Sequence, residues 1–247
     1  MQVQVLGLLV KAERYLLSKS RIILGLVHNI TVIFTSHSED GECNASEFCK
    51  ILGKVNPEVI FEELSLFGFN LFYRENKSDT LETMAVKMYL QNFKVRHIPV
   101  DNYNTREALE IKKDMESIFD LFESDINYNR LDKEITVMKA RCGFKYLNSD
   151  RCSEMFEKMD NMKQHILENS NNEKYVSSYK LWLMILDKRE DEIIKNIYNY
   201  SETYRFNTAL FYIGAGHRKS IIRKIQQRNE MEKLKINWNY NNYRDIL

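Results

Sequence analysis

Hydrophobic positions change their spacing twice along this chain. In the first third they form short runs rich in β-branched and aromatic residues, at Ile30–Phe34, Val59–Phe61 and Val95–Val100. Such runs, bounded by polar loops, predict strands buried on both faces. Helical spacing fills the gaps between them. Ser46 predicts a helix cap ahead of Phe48, Ile51 and Leu52, and Leu81, Met84, Ala85, Met88 and Tyr89 share a helix face. Pro57 breaks the chain before the second run. Strands separated by helix-length segments predict βαβ units and a parallel sheet.

From Arg106 to Tyr200 the period stays near that of a helix. Ile111, Met115, Ile118, Phe119 and Phe122 follow it, as do Met155, Met159, Met162 and Ile166. Tyr179, Trp182, Leu183, Leu186, Ile193, Ile194 and Ile197 form a third such stretch. The strand pattern returns at Thr208–Ile213, followed by Gly214-Ala215-Gly216-His217, and Ser220 opens an amphipathic helix carrying Ile221, Ile222 and Ile225. The expected fold is a single α/β domain over 1–247, with a mainly parallel sheet flanked by helices. Its sheet parts span about 21–104 and 201–235, and a large helical insertion over about 105–200 should cover the strand ends.

Composition removes several classes of function. Lys and Arg number 36 against 35 Asp and Glu, so no global field draws in nucleic acid or an anionic membrane. The basic face of the last helix (Arg218, Lys219, Arg223, Lys224 and Arg228) reads as a solvated surface. Cys43, Cys49, Cys142 and Cys152 match no zinc spacing and read as reduced thiols. The apolar start through Val10 lacks a cationic region and a cleavage site. The longest apolar stretch, Ile22–Phe34, is short for a bilayer and is broken by His28, Asn29 and Thr31. These features predict a cytoplasmic protein, with neither nucleic-acid nor membrane partners.

Candidate chemistry gathers just after predicted strands, at His37, at Glu62 and Glu63, at Asp101 and at His217. In an open parallel sheet ligands bind beyond the carboxyl ends of the strands, so one rim should collect all of them. Each residue alone has a plainer reading. A loop histidine is ordinarily solvated, Asp101-Asn102 suits a turn, and only one of two adjacent glutamates points to a given face. The Gly214-Ala215-Gly216 segment lacks the third glycine of a dinucleotide fingerprint, because position 219 is Lys. It reads instead as a tight turn whose glycines deliver His217 to the rim.

Phe34-Thr35-Ser36-His37, Glu62-Glu63-Leu64, Ile98-Pro99-Val100-Asp101, Arg189-Glu190-Asp191 and Gly214-Ala215-Gly216-His217 follow one another in an order that resembles the TraB/Tiki family. That family lies within the erythromycin esterase and ChaN-like superfamily. The resemblance covers about 30–101 and 187–225. Its second Gly-x-x-His motif is complete, whereas Phe34 replaces the first motif's glycine, and no Arg occurs in Ser65–Asn70.

What the resemblance implies is a hydrolase acting on an ester or peptide bond, with a small-molecule or peptide substrate. Its site would comprise His37, Glu62, Glu63, Asp101, Arg189 and His217. One scheme places a divalent transition metal (Mn, Co or Zn) on His37, Glu63 and His217 to activate water. The other uses His37 as a metal-free general base, with Arg189 stabilising developing negative charge. The alternative function is a non-catalytic binding or regulatory domain that keeps the fold, or an effector whose helical insertion docks a protein partner.

Overall fold

Five β-branched and aromatic segments pair side by side, all parallel, in a sheet of order β3-β2-β4-β1-β5. The strands are β1 (His28–Thr35), β2 (Val59–Ser65), β3 (Arg96–Asp101), β4 (Thr208–Gly214) and β5 (Ile236–Asn239). This computed structural model describes residues 27–77, 79–102, 105–241 and 246–247. The readings made for 1–26, including the start of the apolar stretch at Ile22, lie outside the described residues. No described helix is long and apolar enough to cross a membrane.

Eight helices accompany the sheet among the described residues. They are α1 (Ala45–Val55), α2 (Leu66–Tyr73), α3 (Leu81–Leu90), α4 (Thr105–Glu123), α5 (Ile126–Leu147), α6 (Asp150–Asn169), α7 (Glu173–Thr203) and α8 (Arg218–Met231). Aromatic contacts assign two of them to opposite faces. Phe48 of α1 meets the Tyr212 ring edge-on, while Tyr200 of α7 meets Phe61 on the other face. With both faces covered, Val32, Ile33 and Phe34 are all fully buried, which explains why β1 reads as an unbroken apolar run.

Topology decides where the site falls. The chain lays down β1, β2 and β3, passes through four helices, and then inserts β4 between β1 and β2. Because every strand runs the same way, the segments after Thr35, Ser65, Asp101 and Gly214 leave from one edge. Thr35 is the register partner of Gly214, and Ser65 of Asp101. The insertion is helical, as its spacing predicts, and it reaches this edge. Lys139 of α5 approaches Ser36 and Ser38 at 3.4 Å each, and α7 supplies Arg189 and Glu190. Ile111, Met115, Ile118, Phe122, Leu167, Tyr179 and Ile185 form a second apolar cluster within the insertion.

Several local expectations need correction. Asn44, not Ser46, caps α1, its side chain accepting the Glu47 N–H. β5 was not anticipated, since Ile236-Asn237-Trp238-Asn239 is short and half polar. It runs beside only His28–Thr31, and beyond its end Asn148 takes over as a substitute strand. The Asn148 amide accepts the Phe34 N–H at 2.8 Å and donates to the Phe34 carbonyl at 2.9 Å. The glycine-dependent turn after β4 is also absent. Gly214 has φ −53° and ψ 139°, open to any residue, and the chain continues through one 3-10 turn, Ala215–His217.

Glycine is required elsewhere, at Gly41 and Gly143, both at φ +53°. A Cβ on Gly41 would stand 2.3 Å from the Ala140 carbonyl oxygen, where the loop after β1 docks on α5. Gly41→Ala is therefore expected to destabilise the protein by more than about 2 kcal/mol. Urea unfolding checks this, and an unchanged midpoint would contradict the docking of that loop.

Candidate functional site

Two glutamates follow one another on β2 and point to opposite faces. Glu63 lies on the α7 side. Its Oε1 accepts from Arg189 Nη2 at 2.5 Å, and its Oε2 accepts the Gly214 N–H at 2.7 Å. The same guanidinium donates from Nε to Asp101 Oδ2 at 2.9 Å. Arg189 thus ties the ends of β2 and β3 to α7, with all three side chains largely shielded from water. Burial alone would weaken the basicity of Arg189, but Glu63 and Asp101 more than offset it and leave its pKa above the ordinary value.

His217 stands beside this group. Its Nδ1 lies 2.6 Å from Glu190 Oε1, and its Nε2 lies 3.6 Å from Glu63 Oε1. A carboxylate can only accept, so Nδ1 carries a proton, and the lone pair of the neutral form of the ring lies at Nε2. Ser220 fixes Glu190 from the other side, donating to Oε2 at 2.5 Å. A second pair of the same kind sits on the β1 side. His37 Nδ1 is 3.1 Å from Glu82 Oε1, which also accepts from Thr35 Oγ1 at 2.8 Å. The first N–H of α3, on Leu81, donates to the His37 carbonyl and holds the loop and helix together.

The two histidines differ in environment. The His37 ring is 65% exposed, whereas His217 is 19% exposed. The hydrogen bond to Glu82 raises the His37 pKa above 6.5, partial desolvation opposes the rise, and the field of Glu63 adds to it. His37 therefore keeps its proton further into the neutral range than a free imidazole. Because the folded value is raised, the associated stability is fully present below pH 6.5 and is lost as pH climbs through the folded value. Glu82→Gln should return the His37 titration midpoint toward the ordinary value, measured by NMR. An unmoved midpoint would remove Glu82 from the site.

His37, Glu63, Asp101, Arg189 and His217 thus share the rim. Asp101 binds the arginine, so its turn-forming reading is set aside. Glu62 belongs to a different group, on the α1 face. It is fully buried and accepts at Oε2 from the hydroxyls of Tyr73 and Tyr212, at 2.7 Å each, and at Oε1 from His97, at 2.7 Å. Burial, followed by the charge of Glu62, raises the pKa of both phenols, so they remain donors. A carboxylate satisfied three times over braces the rim and has no reach into it.

Of the trio His37, Glu63 and His217 that the resemblance offers to a metal, Glu63 is already occupied. His37 and His217 each bond a carboxylate through Nδ1, which leaves Nε2 as the ring atom that could meet a ligand, whereas Glu63 commits both oxygens to Arg189 and Gly214. The guanidinium already supplies the positive charge that a metal would bring. Among the described residues no group of three His, Cys, Asp or Glu side chains is arranged to hold a metal ion.

Glu82 and Glu190 are the residues that the sequence reading missed, and both left the same signal. Glu82 precedes Ala85, Val86 and Tyr89 on the buried stripe of α3, and Glu190 precedes Ile193, Ile194 and Ile197 on that of α7. A carboxylate in line with an apolar stripe must find a buried partner. By contrast, the basic residues of α8 are all paired. Arg218 meets Asp150, Lys219 meets Glu157, Arg223 and Lys224 meet Asp187, and Arg228 meets Glu232. No family model, curated protein or solved structure matches the chain.

Proposed function

We propose that the rim is a metal-free hydrolytic site acting on a carboxylic ester or peptide bond, with His217 as general base. This assigns the base to His217 where the sequence reading chose His37. The observation that carries the reading is the pair of histidine–carboxylate contacts flanking a buried arginine, each leaving its Nε2 uncommitted to its own carboxylate. His217 Nε2 takes a proton from water while the water oxygen bonds to the substrate carbonyl carbon. The resulting imidazolium lies between Glu190 and Glu63, whose charges stabilise it. His37, whose protonated form Glu82 favours, donates to the leaving oxygen or nitrogen as the acyl bond breaks. The products are a carboxylic acid and an alcohol or amine. Arg189 sets the positive potential at the developing oxyanion.

The reading keeps the sequence's resemblance to TraB/Tiki-like and erythromycin esterase-like hydrolases and takes the metal-independent chemistry of the latter. The test is hydrolysis of p-nitrophenyl acetate by the full chain, before and after treatment with a chelator. Turnover that survives chelation supports the reading. Turnover that vanishes with chelation and returns with Mn, Co or Zn overturns the metal-free scheme, and no turnover of any ester or peptide overturns the hydrolase.

A further inference from the structure

The loop after β1 carries His37, and its side-chain contacts alternate along the chain. Ser36, Ser38 and Asp40 turn to α5, where the Lys139 ammonium lies 3.4 Å from each serine hydroxyl and 3.7 Å from Asp40 Oδ2. Thr35, His37 and Glu39 turn the other way. Thr35 and His37 both meet Glu82 Oε1, at 2.8 and 3.1 Å, and Glu39 accepts the Ala45 N–H at 2.8 Å. In an extended chain successive side chains point to opposite sides, so a grip on Ser36 and Ser38 fixes the side on which His37 emerges.

The ammonium that makes this grip is well shielded. The Lys139 side chain is only 13% exposed, and a lysine is seldom so covered unless its charge is paired. Its three contacts are all long, so no single one of them explains its place. What they share is position, because one ammonium spans both neighbours of His37. Backbone contacts fasten the two ends of the same segment to α5 and its C-cap. Asn148 binds the Phe34 N–H and carbonyl, and the Glu42 N–H donates to the Ala140 carbonyl at 2.8 Å. These contacts set where the loop lies. Lys139 acts between them, on the side chains.

Resting on the hydrolytic reading, we infer that Lys139 is a positioning residue for the general acid, its grip on Ser36 and Ser38 keeping the His37 ring against Glu82. Lys139 meets no reacting atom in this role. The acid matters most where the leaving group is poor, since an alkoxide must be protonated as it departs whereas p-nitrophenoxide departs as the anion.

Lys139→Met should therefore lower kcat for ethyl acetate about tenfold or more with KM little changed, and leave kcat for p-nitrophenyl acetate within about twofold. Lys139→Arg, which can still donate to both hydroxyls, should recover part of the loss. The double variant Ser36→Ala/Ser38→Ala removes the grip and keeps the ammonium, and it should reproduce the Lys139→Met result. These serines are half-buried and exposed, so the pair tests the inference even if Lys139→Met does not fold. A second readout needs no turnover. Glu82 can only accept, so the neutral His37 ring beside it carries its proton on Nδ1, whereas a released imidazole in water favours Nε2. The ¹⁵N NMR shifts of the ring at alkaline pH distinguish the two, and both variants should move the proton to Nε2. Equal losses on the two esters, as general destabilisation would give, overturn the inference, and so does an unmoved ring. Full activity in the double serine variant also overturns it. If no ester is hydrolysed the hydrolytic reading falls, and the ring shift alone decides whether Lys139 positions His37.

Discussion

Replacing His217 with alanine should lower kcat/KM for ester hydrolysis by about 10²- to 10⁴-fold, the usual worth of a positioned general base. The protein should remain folded. His217 lies on the rim, and its removal leaves Glu190 still bonded to Ser220 at 2.5 Å, so the stability cost should be about 1–3 kcal/mol. Glu190→Gln separates orientation from basicity. An amide at that position can donate to Nδ1, which favours the tautomer with its proton at Nε2, and the base is lost although the ring stays. Steady-state kinetics on both variants, with melting curves alongside, check the assignment. Full activity in His217→Ala would move the base elsewhere.

Arg189→Met should produce the largest loss of stability, on the order of 3–5 kcal/mol. The guanidinium serves two carboxylates whose side chains are 2% and 5% exposed, and methionine fills its volume without its charge. Glu63 and Asp101 would then lose the guanidinium that joins them across the ends of β2 and β3. Such a loss is large against the ordinary 5–15 kcal/mol of a folded domain. Adding Glu63→Gln should recover part of it, because one of the two carboxylates that lost the guanidinium is then neutral. Denaturant unfolding of the single and double variants provides the measurement. A cost below about 1 kcal/mol for Arg189→Met would show that the triad is not the fastening described.

The parallel sheet and the helical insertion were legible because burial on both faces and helical periodicity each leave a direct mark on the sequence. His37, Glu63, Asp101 and His217 were legible because a parallel sheet sends every strand's carboxyl end to one edge. Arg189 was reached only through its resemblance to a known motif, since a cation on a long helix is ordinarily solvated. Glu82 and Glu190 were missed because an acid in a helix's first turn, like Glu82, reads as a capping residue, and one in the middle of a long charged helix, like Glu190, as a surface residue, until each is compared with the apolar face. Glu62 was misplaced because the alternation of a strand sends one of two adjacent glutamates to each face without saying which. Register settles it, since Glu62 lies beside Tyr212 and shares its face.

The central claim is that two histidine–carboxylate pairs around a buried arginine hydrolyse an acyl bond without a metal. Its most direct test follows ester hydrolysis in ¹⁸O-labelled water by chelator-treated protein and by its His217→Ala variant. The account predicts one labelled oxygen in the acid product, an undiminished rate after chelation, and a fall of about 10²-fold or more in the variant. Hydrolysis that requires added metal, or that proceeds equally well without His217, would contradict it.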